Sequence, residues 1–121
     1  MIALLPVTKG FYYLGTPYSK YPAGLEAAFV EAARIAGVLI AAGLPIFSPI
    51  AHSHPIAMHG GLDPLAHEIW LRLDKHMMRA AEGLIVAEMD GWEESHGLAH
   101  EIDYFEAMDK PIFYLDPEAL A

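Results

Sequence analysis

Residues Gly83 to Met89 read GLIVAEM. Leu84, Ile85, Val86 and Ala87 follow one another without a polar residue between them. A strand with one wet face alternates apolar and polar side chains. An unbroken apolar run of this length marks a strand buried on both faces, as in a parallel sheet covered by helices. That reading decides the fold class, and the flanking segments are consistent with it.

On the N-terminal side of this run, Asp63-Pro64 makes an N-cap and first-turn pair that opens a helix running to about Ala81. On its C-terminal side comes DGWEESHGLAHE, Asp90 to Glu101, then a helix to about Met108 and a fourth strand in KPIFYL, Lys110 to Leu115. Nearer the N-terminus, FYYLG (Phe11 to Gly15) is a short aromatic strand closed by Gly-Thr-Pro. Pro22 to Ala42 is Ala-rich, with apolar spacing Leu25, Phe29, Ala33, Ala36, Ile40, and predicts a helix stopped by Gly43. LPIFSP is the second strand, and Pro45 suggests an edge position because proline donates nothing to a ladder. IAHSHPIAMHGGLD, Ile50 to Asp63, reads as a loop. The alternation of strands and helices predicts an α/β fold with helices on both faces of a doubly wound, mostly parallel sheet of four to five strands. Residues 1–121 are expected to form one domain, without repeat or linker.

Apolar residues make up 55% of the 121, too many for a disordered chain. No apolar run reaches the roughly 20 residues of a membrane helix. MIALLPVTKGF lacks a basic leader and a cleavage site, so no signal peptide is read there. With no cysteine, disulfides and thiolate chemistry are excluded, and a cytoplasmic location fits. The net charge of −9 repels a phosphate polymer, which argues against long nucleic acid as a partner. A single nucleotide is compatible, because backbone N–H groups can hold one phosphate.

Ligands of such sheets bind beyond the carboxyl ends of the strands. Gly15 to Lys20, Ser48 to His59, and Asp90 to Glu101 should therefore converge. Leu98, Ile102 and Phe105 form the inward stripe of the last helix, and Glu101 falls about 60° to one side of Leu98. A carboxylate on that border would be partly desolvated and shifted in pKa; a surface Glu beside the core has the same spacing. Ser95 and Gly97 open the helix, where they could cap it or receive an anion. Asp74 lies near the edge of the face marked by Ile69, Leu73 and Met77, a spacing that favours solvation. The first loop is neither a Walker loop nor G-x-G-x-x-G. Ser19, Ser48 and His52 are the further candidate contacts on the converging segments. His52-x-His54 with His59 would grip a metal only if strand-like, and no metal is assigned. Tyr18 and Trp92 could stack on a base. Trp70, Trp92, Met77 and Met78 could serve an interface or the core.

Together these segments resemble the nucleoside 2-deoxyribosyltransferase superfamily, most closely a family of small bacterial and phage proteins within it. YYLGTPYS resembles the first-strand motif, PIFSPIAHSHPI the second-strand exit, and the stretch from Leu73 to Tyr114 an Asp helix, a strand and S-x-G-x-x-x-E. The resemblance implies a three-layer flavodoxin- or Rossmann-like sheet and N-glycosidic cleavage or deoxyribosyl transfer on a nucleoside or nucleoside 5′-monophosphate. It implies Glu101 as nucleophile, Asp74 as the positioning or protonating acid, Tyr13, Gly15 and Pro17 at the sugar, and Ser95 and Gly97 at a phosphate. It also implies a homodimer or homotetramer. Such chemistry requires no cofactor. Two positions depart from the pattern: Asp109 stands for a Gly before Lys110-Pro111, and Pro17-Tyr18-Ser19-Lys20 for a Gly-Arg element. A domain that senses a nucleotide derivative without turnover is the alternative expectation.

Overall fold

The computed structural model describes residues 9–120. Most of the MIALLPVTKGF stretch, and with it the reading of a missing leader, lies outside them. Four strands form the sheet: β1 (Tyr12–Gly15), β2 (Ile46–Phe47), β3 (Gly83–Ala87) and β4 (Ile112–Leu115). All pairings are parallel, in the order β2-β1-β3-β4. The chain steps from β1 outward to β2 and then crosses to β3 on the other side, so the switch point lies between β1 and β3. β2 is an edge strand, as Pro45 requires, and the Pro45 carbonyl accepts from the Tyr12 N–H at 2.8 Å.

The helices are α1 (Leu25–Ala41), α2 (Pro49–Gly60), α3 (His67–Ala80) and α4 (His96–Ala107). Strand alternation divides the core between the two faces of the sheet. Tyr12, Leu14, Ile85 and Ala87 pack with Ile35, Ala36 and Leu39 of α1. Tyr13, Leu84 and Val86 pack with Met78 of α3 and with Leu98 and Phe105 of α4. β3 is buried along its whole length, as GLIVA predicts. The result is a three-layer α/β fold. Among the described residues no helix is long and apolar enough to cross a membrane.

Four expectations need correction. Ile50 to Asp63 is mostly helix, not loop. Ser48 caps it, its Oγ accepting from the Ala51 N–H at 3.2 Å, Pro49 fills the first turn, and Gly61 ends it at φ 71°. That Ser-Pro pair is the start signal; interior Pro55 and the His-rich composition mask it. The inward stripe of α1 is Ala28, Ala32, Ile35, Ala36 and Leu39, while Ile40 is 54% exposed. The Ala residues of the helix fit either register, and contact with the sheet selects the one that buries Ile35 and Leu39. On α3 the buried position is Met78, whereas Ile69 and Leu73 are exposed. The helix expected to open at Asp63-Pro64 begins at His67 instead, and Asp63 Oδ1 accepts from the Leu65 N–H in the turn ahead of it. Of the residues left open between an interface and the core, all four have contacts inside the protomer. Met78 is core, Met77 and Trp92 pack against it, and Trp70 Nε1 donates to the Asp63 carbonyl at 2.9 Å.

Candidate functional site

The pleat of β1 turns Tyr13 toward α4, on the opposite face from Tyr12 and Leu14. Tyr13 is fully buried, and its hydroxyl donates to Glu101 Oε2 at 2.8 Å. The strand ends at Gly15, and a Cβ built there would lie 2.6 Å from Leu98 Cδ1 and 3.0 Å from Glu101 Oε1. Only glycine lets β1 pass this close to α4. Glu101 is thus fixed at the mouth of the switch point, on the border of the Leu98–Phe105 stripe.

Asp74 is brought to the same place by α3. It stands one turn before Met78, the residue that α3 buries, so it shares the inward face. Its Oδ1 is buried without a hydrogen-bond partner. The periodicity reading, which favoured solvation, took Ile69 and Leu73 as the marker of that face; they are exposed, and the true marker is Met78.

Two adjoining cavities, of about 110 and 350 Å³, share His67, Trp70, Asp74, Gly97 and Glu101 in their walls. Burial pushes the Asp74 carboxyl up to about 6. Burial also pushes Glu101 up to about 8; the Tyr13 hydrogen bond works against this, and the Asp74 charge adds to it. Burial and the neighbouring carboxylates hold the Tyr13 hydroxyl well above its ordinary range, so it stays protonated as a donor. Near neutrality the two carboxyls therefore hold about one proton between them, an arrangement that supplies one acid and one base.

Ser95 caps α4, its Oγ accepting from the Leu98 N–H at 3.1 Å, and it also lines the smaller cavity. Gly97 lines both cavities, and a Cβ there would meet nothing of the protein within 4 Å. The first turn of α4 therefore faces open space. Ser19 is in the cavity wall. Pro17 is buried behind the wall and shapes the turn, without lining either cavity. Ser48 and His52 are also outside both linings. Ser48 is spent on its cap, and His52 is an exposed ring beside Phe47.

The histidine of α2 that reaches the site is His54. Two helical residues lie about 200° apart around the axis, so His52 and His54 diverge and the strand-like H-x-H grip is not formed. His54 is buried, stacked on Phe29 at 4.6 Å, and its Nδ1 meets the Tyr18 hydroxyl at 2.5 Å. Among the described residues no group of three His, Asp or Glu side chains is placed to hold a metal ion. Tyr18, expected as a ring that could stack on a base, is in the wall; so are His54, Thr16 and Ser53, which lie on the converging segments without having been singled out as contacts, and His67 and Trp70, which lie outside those segments. For Ser53 and His54 the signal was the Ser48-Pro49 helix start, which sets the phase of α2.

Fold and site together define an α/β protein of the doubly wound class, with a two-carboxyl cleft at the switch point of its sheet. The chain belongs to the DUF1937 family, described as a domain of unknown function, whose model matches residues 10–116. That span contains every strand and every residue of the cleft. No curated protein matches the chain.

Proposed function

We propose that this protein cleaves the N-glycosidic bond of a nucleoside or nucleoside 5′-monophosphate, by hydrolysis or by transfer of the deoxyribosyl group. The reading draws on the likeness to the deoxyribosyltransferase superfamily. Its main support in the geometry is the Glu101 carboxylate, held by the Tyr13 hydroxyl at the floor of a cleft that also receives Asp74.

In this mechanism a Glu101 oxygen bonds to C1′ of the sugar as the C1′–N bond breaks. The electron pair of that bond leaves with the base, which takes a proton from Asp74. Water, or a second base, then attacks C1′ and frees the carboxylate. The Tyr13 hydroxyl steadies Glu101 in its ionised form. With carboxyls near 6 and 8, moving the shared proton from Glu101 to Asp74 costs about 3 kcal/mol. The positive charge developing on the sugar offsets that cost in the transition state.

Among the described residues neither cavity is lined by Lys or Arg. A 5′-phosphate would rest on the free N–H groups of the α4 first turn beside Gly97. Apolar side chains exposed on and before α3, among them Leu65, Ile69 and Leu73 at 37–46%, support assembly as a homo-oligomer.

The test is release of free base from a panel of deoxynucleosides and their 5′-monophosphates, with wild type and Glu101→Ala. The wild type should release base, and the variant should bind the same compounds with turnover reduced at least 1,000-fold, on the order of losing a covalent nucleophile. Base release by neither protein, with binding retained in both, would leave a sensor and remove the enzyme.

A further inference from the structure

Among the described residues three buried side-chain atoms lack a hydrogen-bond partner: Thr16 Oγ1, Ser53 Oγ and Asp74 Oδ1. All three residues line the same cavity. Orphaned buried polar atoms are uncommon in folded proteins, and each one costs stability. Their coincidence in one cavity has a direct physical reading, which is that whatever enters the cavity, solvent first and then a ligand that displaces it, completes them. Asp74 is accounted for by the proposed chemistry, whereas Thr16 and Ser53 are not.

Thr16 is 5% exposed and Ser53 8%. They come from different elements, the exit of β1 and the inner face of α2. Between those elements stand Tyr18 and His54, hydrogen-bonded to each other, with His54 stacked on Phe29. These contacts tie the two elements to each other and to α1. Beside them stand apolar Ile50, Leu65 and Trp70; the carboxyls Asp74 and Glu101 share the cavity, and among the described residues its lining contains no Lys or Arg. Two neutral hydroxyls that donate or accept, beside apolar and aromatic side chains and without a Lys or Arg to hold an anion, suit an uncharged planar ring with hydrogen-bonding edges.

We propose that Thr16 and Ser53 form a specificity subsite that reads the edge of an uncharged heteroaromatic base. The inference deepens the glycosidic reading and rests on it only for the molecule to which the base belongs. The subsite sets which base is accepted, while Glu101 and Asp74 act on the bond that joins it.

The experiment uses the full chain with Thr16→Val and Ser53→Ala, singly and together. Ser53→Ala lies within a helix, where Ala is the better helix former, so folding is protected. Free adenine, hypoxanthine, cytosine and thymine are titrated by calorimetry, with ribose 5-phosphate as a charged, base-free control. Thermal melting of the ligand-free proteins is measured in parallel. At least one base should bind wild type and lose about 10-fold in affinity with each substitution. The ligand-free variants should melt no lower than wild type, because an orphaned hydroxyl has been removed. Unchanged base affinity, a lower melting temperature in both variants, absence of any base binding, or loss confined to ribose 5-phosphate would each overturn the subsite. If bases bind as expected and no deoxynucleoside is cleaved, the glycosidic reading fails and the subsite stands. If the variants cleave the whole panel with wild-type kcat/KM and base preference, the subsite fails and the glycosidic reading stands.

Discussion

Glu101→Gln should make the protein more stable, by an amount that grows with pH. The unfolded chain releases the Glu101 proton near 4.5, and the folded chain near 8. Between those values the folded state holds more protons, so raising the pH favours unfolding. The penalty is absent below about pH 4.5 and complete above about pH 8. At about 1.4 kcal/mol per pH unit it is on the order of 3–5 kcal/mol, a large share of the 5–15 kcal/mol that holds a typical domain together. Gln keeps nearly the same shape and still accepts from the Tyr13 hydroxyl, but it has no proton to lose. Urea unfolding followed by circular dichroism at pH 5, 6.5, 8 and 9 gives the difference directly. The two curves should nearly coincide at pH 5 and separate steadily up to pH 8. A difference that stays flat across this range would show that Glu101 ionises freely in the folded protein, and the half-buried carboxyl pair would have to be abandoned.

The pH dependence of kcat/KM for base release should be a bell with limbs near 6 and 8, set by Asp74 and Glu101. Tyr13→Phe removes the hydrogen bond that favours the charged form of Glu101, so its limb should move up by roughly one unit, with rates at pH 7 falling about 10-fold. Asp74→Asn should abolish the limb near 6, lower the Glu101 limb, and raise stability by on the order of 2–3 kcal/mol, with the gain developing from pH 4 to 6; a pH series of melting curves reads the last effect. Gly15→Ala should cost about 1–3 kcal/mol in urea and displace Glu101, with a larger loss in kcat than in binding. Among the described residues Asp109 is the non-glycine residue with positive φ, 56°, where α4 ends, so Asp109→Gly should stabilise by up to about 1 kcal/mol without changing activity.

The strands were legible because each signal was local. The apolar run at β3, the aromatic pair in β1 and Pro45 at the edge fix their own elements. Glu101 was legible as a border residue, since its phase follows from Leu98 and Phe105 on the same helix. Asp74 was not, because the face of α3 is chosen by what packs on it, and its sequence offers several apolar stripes of which only Met78 is buried. The choice between His52 and His54 failed for a related reason. Once Ser48-Pro49 is taken as a helix start, the two rings point apart; read as loop, they are interchangeable. The orphaned hydroxyls of Thr16 and Ser53 had no signal at all, because a missing partner is a property of three-dimensional packing.

The contact between Gly15 and Glu101 has a consequence for heredity. A Cβ at position 15 would press first on the Leu98 methyl at 2.6 Å and next on the carboxylate oxygen at 3.0 Å. A lineage that acquired alanine at 15 would have to move both, and the carboxylate would give ground against the Tyr13 hydroxyl. Across relatives, a side chain at 15 should therefore be accompanied by change at 98 or 101.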